Sequence, residues 1–215
     1  MDYGICLFDL DGTLTDPAVG ITKSFQYALA SFGIQAEAQS LTGCIGPPLR
    51  LSFRERFGLT ETDAEAAVLK YREYFSVQGI YENTVYDGIP ELLAALKERG
   101  KLLAVATNKA TEFAVRILEH FGLDGYFSFV SGDTASGSNS ASGKKDIILT
   151  ALRNLDGTGR IPSVMIGDRS YDMTGAREAG IDGIGVGWGY GTREELAAAS
   201  AGIANTVCGL FHMVT

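Results

Sequence analysis

Five short apolar runs, at 5–8, 102–106, 127–130, 164–166 and 184–186, constrain the fold of this chain more than any other feature. Each has the length of a strand buried on both faces and is too short for a helix. Between the later runs lie stretches with helical spacing of apolar residues, at 90–99, 112–121, 146–155 and 173–179. Strands and helices therefore alternate as βα units do, which predicts an α/β fold with a doubly wound, Rossmann-like parallel sheet core. Local signals agree with this division. Pro90 suits a first helical turn, Gly100 and Gly180 read as helix stops, and Thr192 with Glu195 matches a capping box.

The interval from 15 to 86 breaks the rhythm. It holds helical stretches around 21–32 and 63–78 and no comparable apolar run. It reads as a small all-helical cap domain, 15–86, inserted after the first strand into a core of 1–14 and 87–215. The Gly- and Pro-containing segment 42–49 reads as a shaped loop between helices. Both a mobile cap element and a plain helix connector fit it. The Ser- and Gly-rich segment 131–143 reads as a flexible linker that positions the lysines after it.

Function is concentrated in Phe8-Asp9-Leu10-Asp11-Gly12-Thr13-Leu14-Thr15-Asp16, which follows the first apolar run. Residues two apart in an extended backbone point to one side, so Asp9 and Asp11 can face one centre, with Gly12 bending the chain after them. Two carboxylates so placed become stable when a divalent cation sits between them or one takes a proton. An isolated Asp-Leu-Asp-Gly would be an ordinary turn. Here, however, polar groups recur after the later runs: Thr107 and Asn108, then Lys144 and Lys145, then Asp168 and Asp172. In open α/β sheets ligands bind beyond the carboxyl ends of the strands, where these residues fall. Carboxylates, a hydroxyl, an amide and a lysine suit a hard cation such as Mg²⁺ together with a phosphoryl group.

Charge supports the same chemistry. With a formal net charge of −8, the chain repels nucleic-acid backbones and anionic lipid, and an anionic substrate would need a metal ion or a few placed basic residues. Hydrophobic content of 46% in 215 residues is enough for a buried core. Cys6, Cys44 and Cys208 are odd in number and widely spaced, which suggests neither a disulfide framework nor a thiolate metal site. His120 and His212 are isolated and read as structural. No GxSxG turn, Walker loop or dinucleotide glycine motif is present. Without a signal-like or bilayer-length segment, the expectation is a cytoplasmic protein.

The Phe-Asp-Leu-Asp-Gly-Thr sequence, the strand-end Thr107-Asn108, the later lysine and Gly167-Asp168-Arg169-Ser170-Tyr171-Asp172 together resemble the four motifs of the haloacid dehalogenase superfamily. The resemblance covers essentially the whole chain and is strongest to the phosphoglycolate phosphatase group. It implies that Asp9 is a nucleophile forming an aspartyl-phosphate and that Asp11 is the general acid and base. It further implies that Thr107 and the Asn108 backbone hold phosphoryl oxygens and that Lys144 neutralises the phosphoryl group and Asp9. Mg²⁺ would be bound by Asp9, the Asp11 carbonyl and Asp168, with Asp172 in support. Lys144 fits the family spacing before Asp-Ile-Ile better than Lys145. Arg169, beside two aspartates, is expected to be an ion-pair partner rather than a substrate contact.

Asp11 argues against a dehalogenase, since a halide leaving group needs no proton, and Asp-Gly-Thr resembles the phosphatases more than the sugar phosphomutases. The expectation is a Mg²⁺-dependent phosphatase for small phosphate monoesters, with phosphoglycolate phosphatase first. A 5′-nucleotidase, a sugar phosphomutase and a non-catalytic phosphometabolite-binding protein are the alternatives. The expected partner is a small phosphorylated metabolite, without nucleic acid or membrane, for a monomer or homodimer. The cap loop at 45–49, with Arg50, is expected to select the leaving group. Trp188 and Tyr190 are expected to pack on the core rather than line the entrance.

Overall fold

In the computed structural model, which describes residues 2–133, 143–156 and 159–215, the first apolar run forms β1 (Ile5–Phe8), with all four side chains buried. The chain then divides into two compact units, one of Met1–Thr15 with Val85–Thr215 and the other of Asp16–Thr84. The short strands β2 (Thr15–Asp16) and β3 (Thr84–Val85) lie at the two crossings and pair with each other.

The helical unit comprises α1 (Ala18–Ala30), a 3-10 turn at Ala38–Cys44, α2 (Leu49–Phe57), α3 (Glu61–Tyr74) and a π turn at Phe75–Gly79. It has its own aromatic core. Phe25 lies 4.9 Å from Phe53 and 5.2 Å from Tyr71 between ring centroids, and Tyr71 stacks on Phe75. Thr60 caps α3 by accepting from the Asp63 N–H. Helix α2 departs from the sequence expectation, which placed helices only around 21–32 and 63–78. Its apolar stripe is thin, with only Ser52 and Phe53 buried, so four charged or polar neighbours hide the period.

After β3 come α4 (Ile89–Glu98), β4 (Leu102–Ala110), α5 (Thr111–His120), β5 (Phe129–Asp133), α6 (Gly143–Leu155), β6 (Ser163–Gly167), α7 (Ser170–Ala179), β7 (Asp182–Val186), α8 (Arg193–Leu196), β8 (Ile203–Ala204) and α9 (Val207–Val214). One parallel sheet of order β5-β4-β1-β6-β7-β8 results. Strand β5 differs from expectation at both ends. The run at 127–130 enters its strand only at Phe129, because a 3-10 turn at Asp124–Tyr126 occupies the approach. Ser131, Gly132 and Asp133, expected in a linker, extend β5. Positions 134–142 of that expected linker lie outside the described residues.

Ile5 and Leu7 of β1, Ala104 and Ala106 of β4 and Met165 of β6 share one buried cluster with Ile147, Ile148 and Ala151 of α6 and Ala176 of α7. Full burial of each large aliphatic side chain stabilises the unit by about 1.5–3 kcal/mol. This packing presses α6 and α7 together. A Cβ at Gly175 would stand 2.8 Å from the Cβ and Cγ of Lys144, so the missing side chain makes room for the lysine stem.

Register decides where the strand ends meet. Phe8 pairs with Val105 on one side and Ile166 on the other. The residues that follow therefore stand at one level: Asp9 just after β1, Ala106 and Thr107 within β4, and Gly167 with Asp168 at the end of β6. The chain lays β4 and β5 on one side of β1 and the later strands on the other. This is the topological switch point at which open α/β sheets form ligand crevices.

Candidate active site

Asp9 continues the β1 ladder by one bond, its N–H donating to the Ile166 carbonyl at 2.8 Å. Its carboxylate, 5% exposed, accepts at Oδ1 from Lys144 Nζ at 2.9 Å. The same ammonium lies 2.6 Å from Asp172 Oδ1. Lys144 reaches both from the first turn of α6 and is buried, whereas Lys145 is only partly so. Asp172 is held in turn at the third position of α7, where its Oδ2 accepts from the Arg169 N–H at 3.0 Å. A carboxylate there also meets the positive end of the helix dipole.

Asp168 has no solvent exposure. Its Oδ2 accepts from the Tyr190 N–H at 2.7 Å, while Oδ1 has no hydrogen-bond partner. The loop that carries Tyr190 also carries Trp188, whose indole N–H donates to the Thr13 carbonyl at 3.1 Å. Between them Gly12 takes φ +86°, and a Cβ there would stand 2.3 Å from Asp168 Oδ2. Only glycine gives both that backbone and that closeness. The turn that follows Asp9 is thus packed directly against Asp168.

Asp11 takes a different partner. Its Oδ2 lies 2.7 Å from Lys109 Nζ, and its Oδ1 is buried without a hydrogen-bond partner. Thr107 is buried just beyond Ala106, and its Oγ1 accepts from the Lys109 N–H at 3.2 Å. Asn108, between them, is partly exposed. Arg169 turns away to Glu195, with Nε at 3.1 Å and Nη2 at 3.2 Å, and so fixes α8 to α7. Glu195 is engaged there, so the expected capping box is only half formed: Thr192 accepts from the Glu195 N–H.

Carboxylate oxygens of Asp9, Asp168 and Asp172 lie within 4.8 Å of one another. Burial, then the charges of Asp172 and Asp9, push Asp168 well above the usual carboxylate range. Burial likewise pushes Asp172 up to about 6, against the opposing pull of Lys144. Burial disfavours the Lys144 charge, yet Asp172 and Asp9 outweigh it and hold the ammonium above its ordinary value. Asp11 is raised by burial, with Lys109 opposing. Two carboxylates, Asp9 and Asp172, share one ammonium, and beside them an oxygen of Asp168 is buried without a hydrogen-bond partner. Such a set of hard oxygen donors fits a divalent cation of the Mg²⁺ class.

A family model of the haloacid dehalogenase-like hydrolases matches residues 6–186. The chain belongs to this family. Members similar to this haloacid dehalogenase-like hydrolase include a 5′-nucleotidase of Pseudomonas aeruginosa, 46% identical over 91% of this chain and 88% of the relative. Another is a phosphoglycolate phosphatase of Agrobacterium fabrum, 34% identical over 86% and 81%. The crystal structure of a predicted phosphatase from Clostridium acetobutylicum matches with a TM-score of 0.93 at 44% identity, covering 100% of this chain and 99% of that one. Like them, this family member is a phosphatase. Among the described residues no helix is long and apolar enough to cross a membrane.

Of the residues singled out from the sequence, Asp9, Lys144, Asp168 and Asp172 meet in one cluster. Asp11, Thr107 and Asn108 stand at the same sheet end around Lys109. That lysine escaped the sequence reading, although it is the third polar residue after the second apolar run and stands two beyond Thr107. Trp188 and Tyr190 join the site's framework through one indole and one backbone N–H, beyond the packing expected of them.

Proposed function

We propose that this phosphatase hydrolyses small phosphate monoesters through an aspartyl-phosphate on Asp9, with Mg²⁺ as cofactor. The observation that carries the proposal is the buried cluster in which Lys144 faces the Asp9 and Asp172 carboxylates while an oxygen of Asp168 has no hydrogen-bond partner among the described residues. Asp9 attacks phosphorus while Lys144 screens the repulsion between two anions. Thr107 and the Asn108 N–H donate to phosphoryl oxygens. Asp11 gives a proton to the departing alcohol and later takes one from the attacking water. Asp9, Asp168 and the Asp11 carbonyl would hold Mg²⁺, with Asp172 in support by orienting Lys144. When bound, the ion supplies Lewis-acid stabilisation of phosphoryl charge.

The 46% identity to a relative named 5′-nucleotidase favours nucleoside 5′-monophosphates as substrates. The relative named phosphoglycolate phosphatase supports 2-phosphoglycolate as a second reading. The residue 16–84 unit is assigned the role of a cap that selects the leaving group. The test is phosphate release from both substrates and from hexose phosphates, with and without Mg²⁺. Metal-dependent turnover that Asp9→Asn abolishes is expected. Turnover that survives this substitution would exclude the covalent route.

A further inference from the structure

We propose that Lys109 is a positioning residue, which clamps one oxygen of Asp11 so that the other faces the departing alcohol. The inference rests on Asp11 being the general acid proposed above. Its first support is the asymmetry of that carboxyl. Oδ2 is engaged by Lys109 Nζ at 2.7 Å, and the two side chains are only 8% and 11% exposed, while Oδ1 is buried and has no hydrogen-bond partner. A buried polar atom left unpartnered is costly and persists where something else is to bind it.

The second support is the backbone beneath Lys109. The β4 ladder pairs Ala106 with Ser131 and Ala110 with Asp133, so residues 107–109 stand opposite Gly132 alone. Such a bulge re-aims side chains that a regular strand would send to alternating faces. This one is braced from two directions. The Lys109 N–H donates to Thr107 Oγ1, and the Lys109 carbonyl lies where a Cβ at position 132 would come within 2.5 Å of it. The ammonium is thus delivered to Asp11 by a fixed backbone.

In the first half-reaction the bond from Asp9 to phosphorus forms and the bond from phosphorus to the alcohol oxygen breaks. The proton on Asp11 Oδ1 passes to that oxygen, leaving an Asp11 carboxylate beside a fully protonated Lys109. In the second, water attacks phosphorus, its proton returns to Asp11 Oδ1, and the bond to Asp9 breaks. Lys109 neither gains nor loses a proton in either step; it keeps Oδ1 aimed.

A lysine that aims the acid matters only for leaving groups that need a proton. The test compares kcat/KM, which reports the first half-reaction, for the best alkyl phosphate substrate and for p-nitrophenyl phosphate. Lys109→Met should lower the alkyl value by about 100-fold and the aryl value by less than about 3-fold, and Lys109→Arg should restore most of the alkyl rate. Asp11→Asn, measured alongside, should show the same selectivity, with folding of each variant checked by thermal unfolding. Equal losses on both substrates, or none, in Lys109→Met while Asp11→Asn remains selective would overturn the role of Lys109 alone. An Asp11→Asn variant without selectivity would overturn the general-acid assignment beneath it.

Discussion

Lys144→Met removes the ammonium that faces Asp9 and Asp172, at 2.9 and 2.6 Å. Each contact has a gross Coulomb energy of about 6 kcal/mol at an effective dielectric of 20, most of which offsets desolvation. Removing one partner of a buried ionic group costs a net of about 3–5 kcal/mol. For a chain of this size that lowers the melting temperature by roughly 6–20 °C. The loss must also depend on pH. Burial pushes Asp172 up to about 6 in the folded state from an ordinary value of 3.8, so its folded form holds a proton more tightly. Its contribution to stability is complete below about 3.8 and is lost as pH rises through 6. Without Lys144 the proton is held more tightly still, so the variant recovers part of its deficit in mild acid. Denaturant unfolding of wild type and variant in EDTA at pH 5 and pH 8 measures this. A deficit as large at pH 5 as at pH 8 would refute an electrostatic origin.

Metal stabilisation should run the opposite way with pH. Because Asp168 and Asp172 must shed protons to bind a cation, 10 mM-scale Mg²⁺ should raise the melting temperature more at pH 8 than at pH 5, and Asp168→Asn should abolish the rise in a thermal-shift assay. Thiol chemistry should divide Cys208 from Cys6. Exposed Cys208 should react with iodoacetamide at pH 8, while Cys6, inside β1 with its thiol pushed up to about 12 by burial, should be labelled only after unfolding, as read by peptide mass spectrometry.

The parallel core was legible because a strand buried on both faces must be apolar throughout, and residues 5–8 and 164–166 carry no polar interruption. The sheet ends followed from it, and with them the places of Asp9, Thr107 and Asp168. Helix α2 was hidden by Arg50, Arg54, Glu55 and Arg56 around a two-residue buried stripe. Helix α9 was hidden for the converse reason: Val-Cys-Gly-Leu-Phe-His-Met-Val has no polar face to mark a period, and its start is signalled only by the Thr206 cap. Lys109 was missed because the bulge lengthens β4 by two residues opposite Gly132 without altering composition. Gly132, on the neighbouring strand, is its sole trace in the sequence.

The order of the sheet also sets when the nucleophile can be assembled. Strand β1 is made first, yet its hydrogen-bonding neighbours begin at Leu102 and Ser163, and Asp9 is 135 residues from the lysine that holds it. Contacts so distant in sequence are slow to form because a long loop must close before any of them forms. The helical unit shortens that search. Its aromatic core closes within residues 25–75, over shorter sequence separations than the sheet needs, and β2 pairs with β3 where the chain leads back to β1 and on to α4. A chain emerging from the ribosome can therefore complete residues 16–84 while β1 is still waiting for β6, and phosphatase chemistry becomes available only once Asp168 and Asp172 have followed.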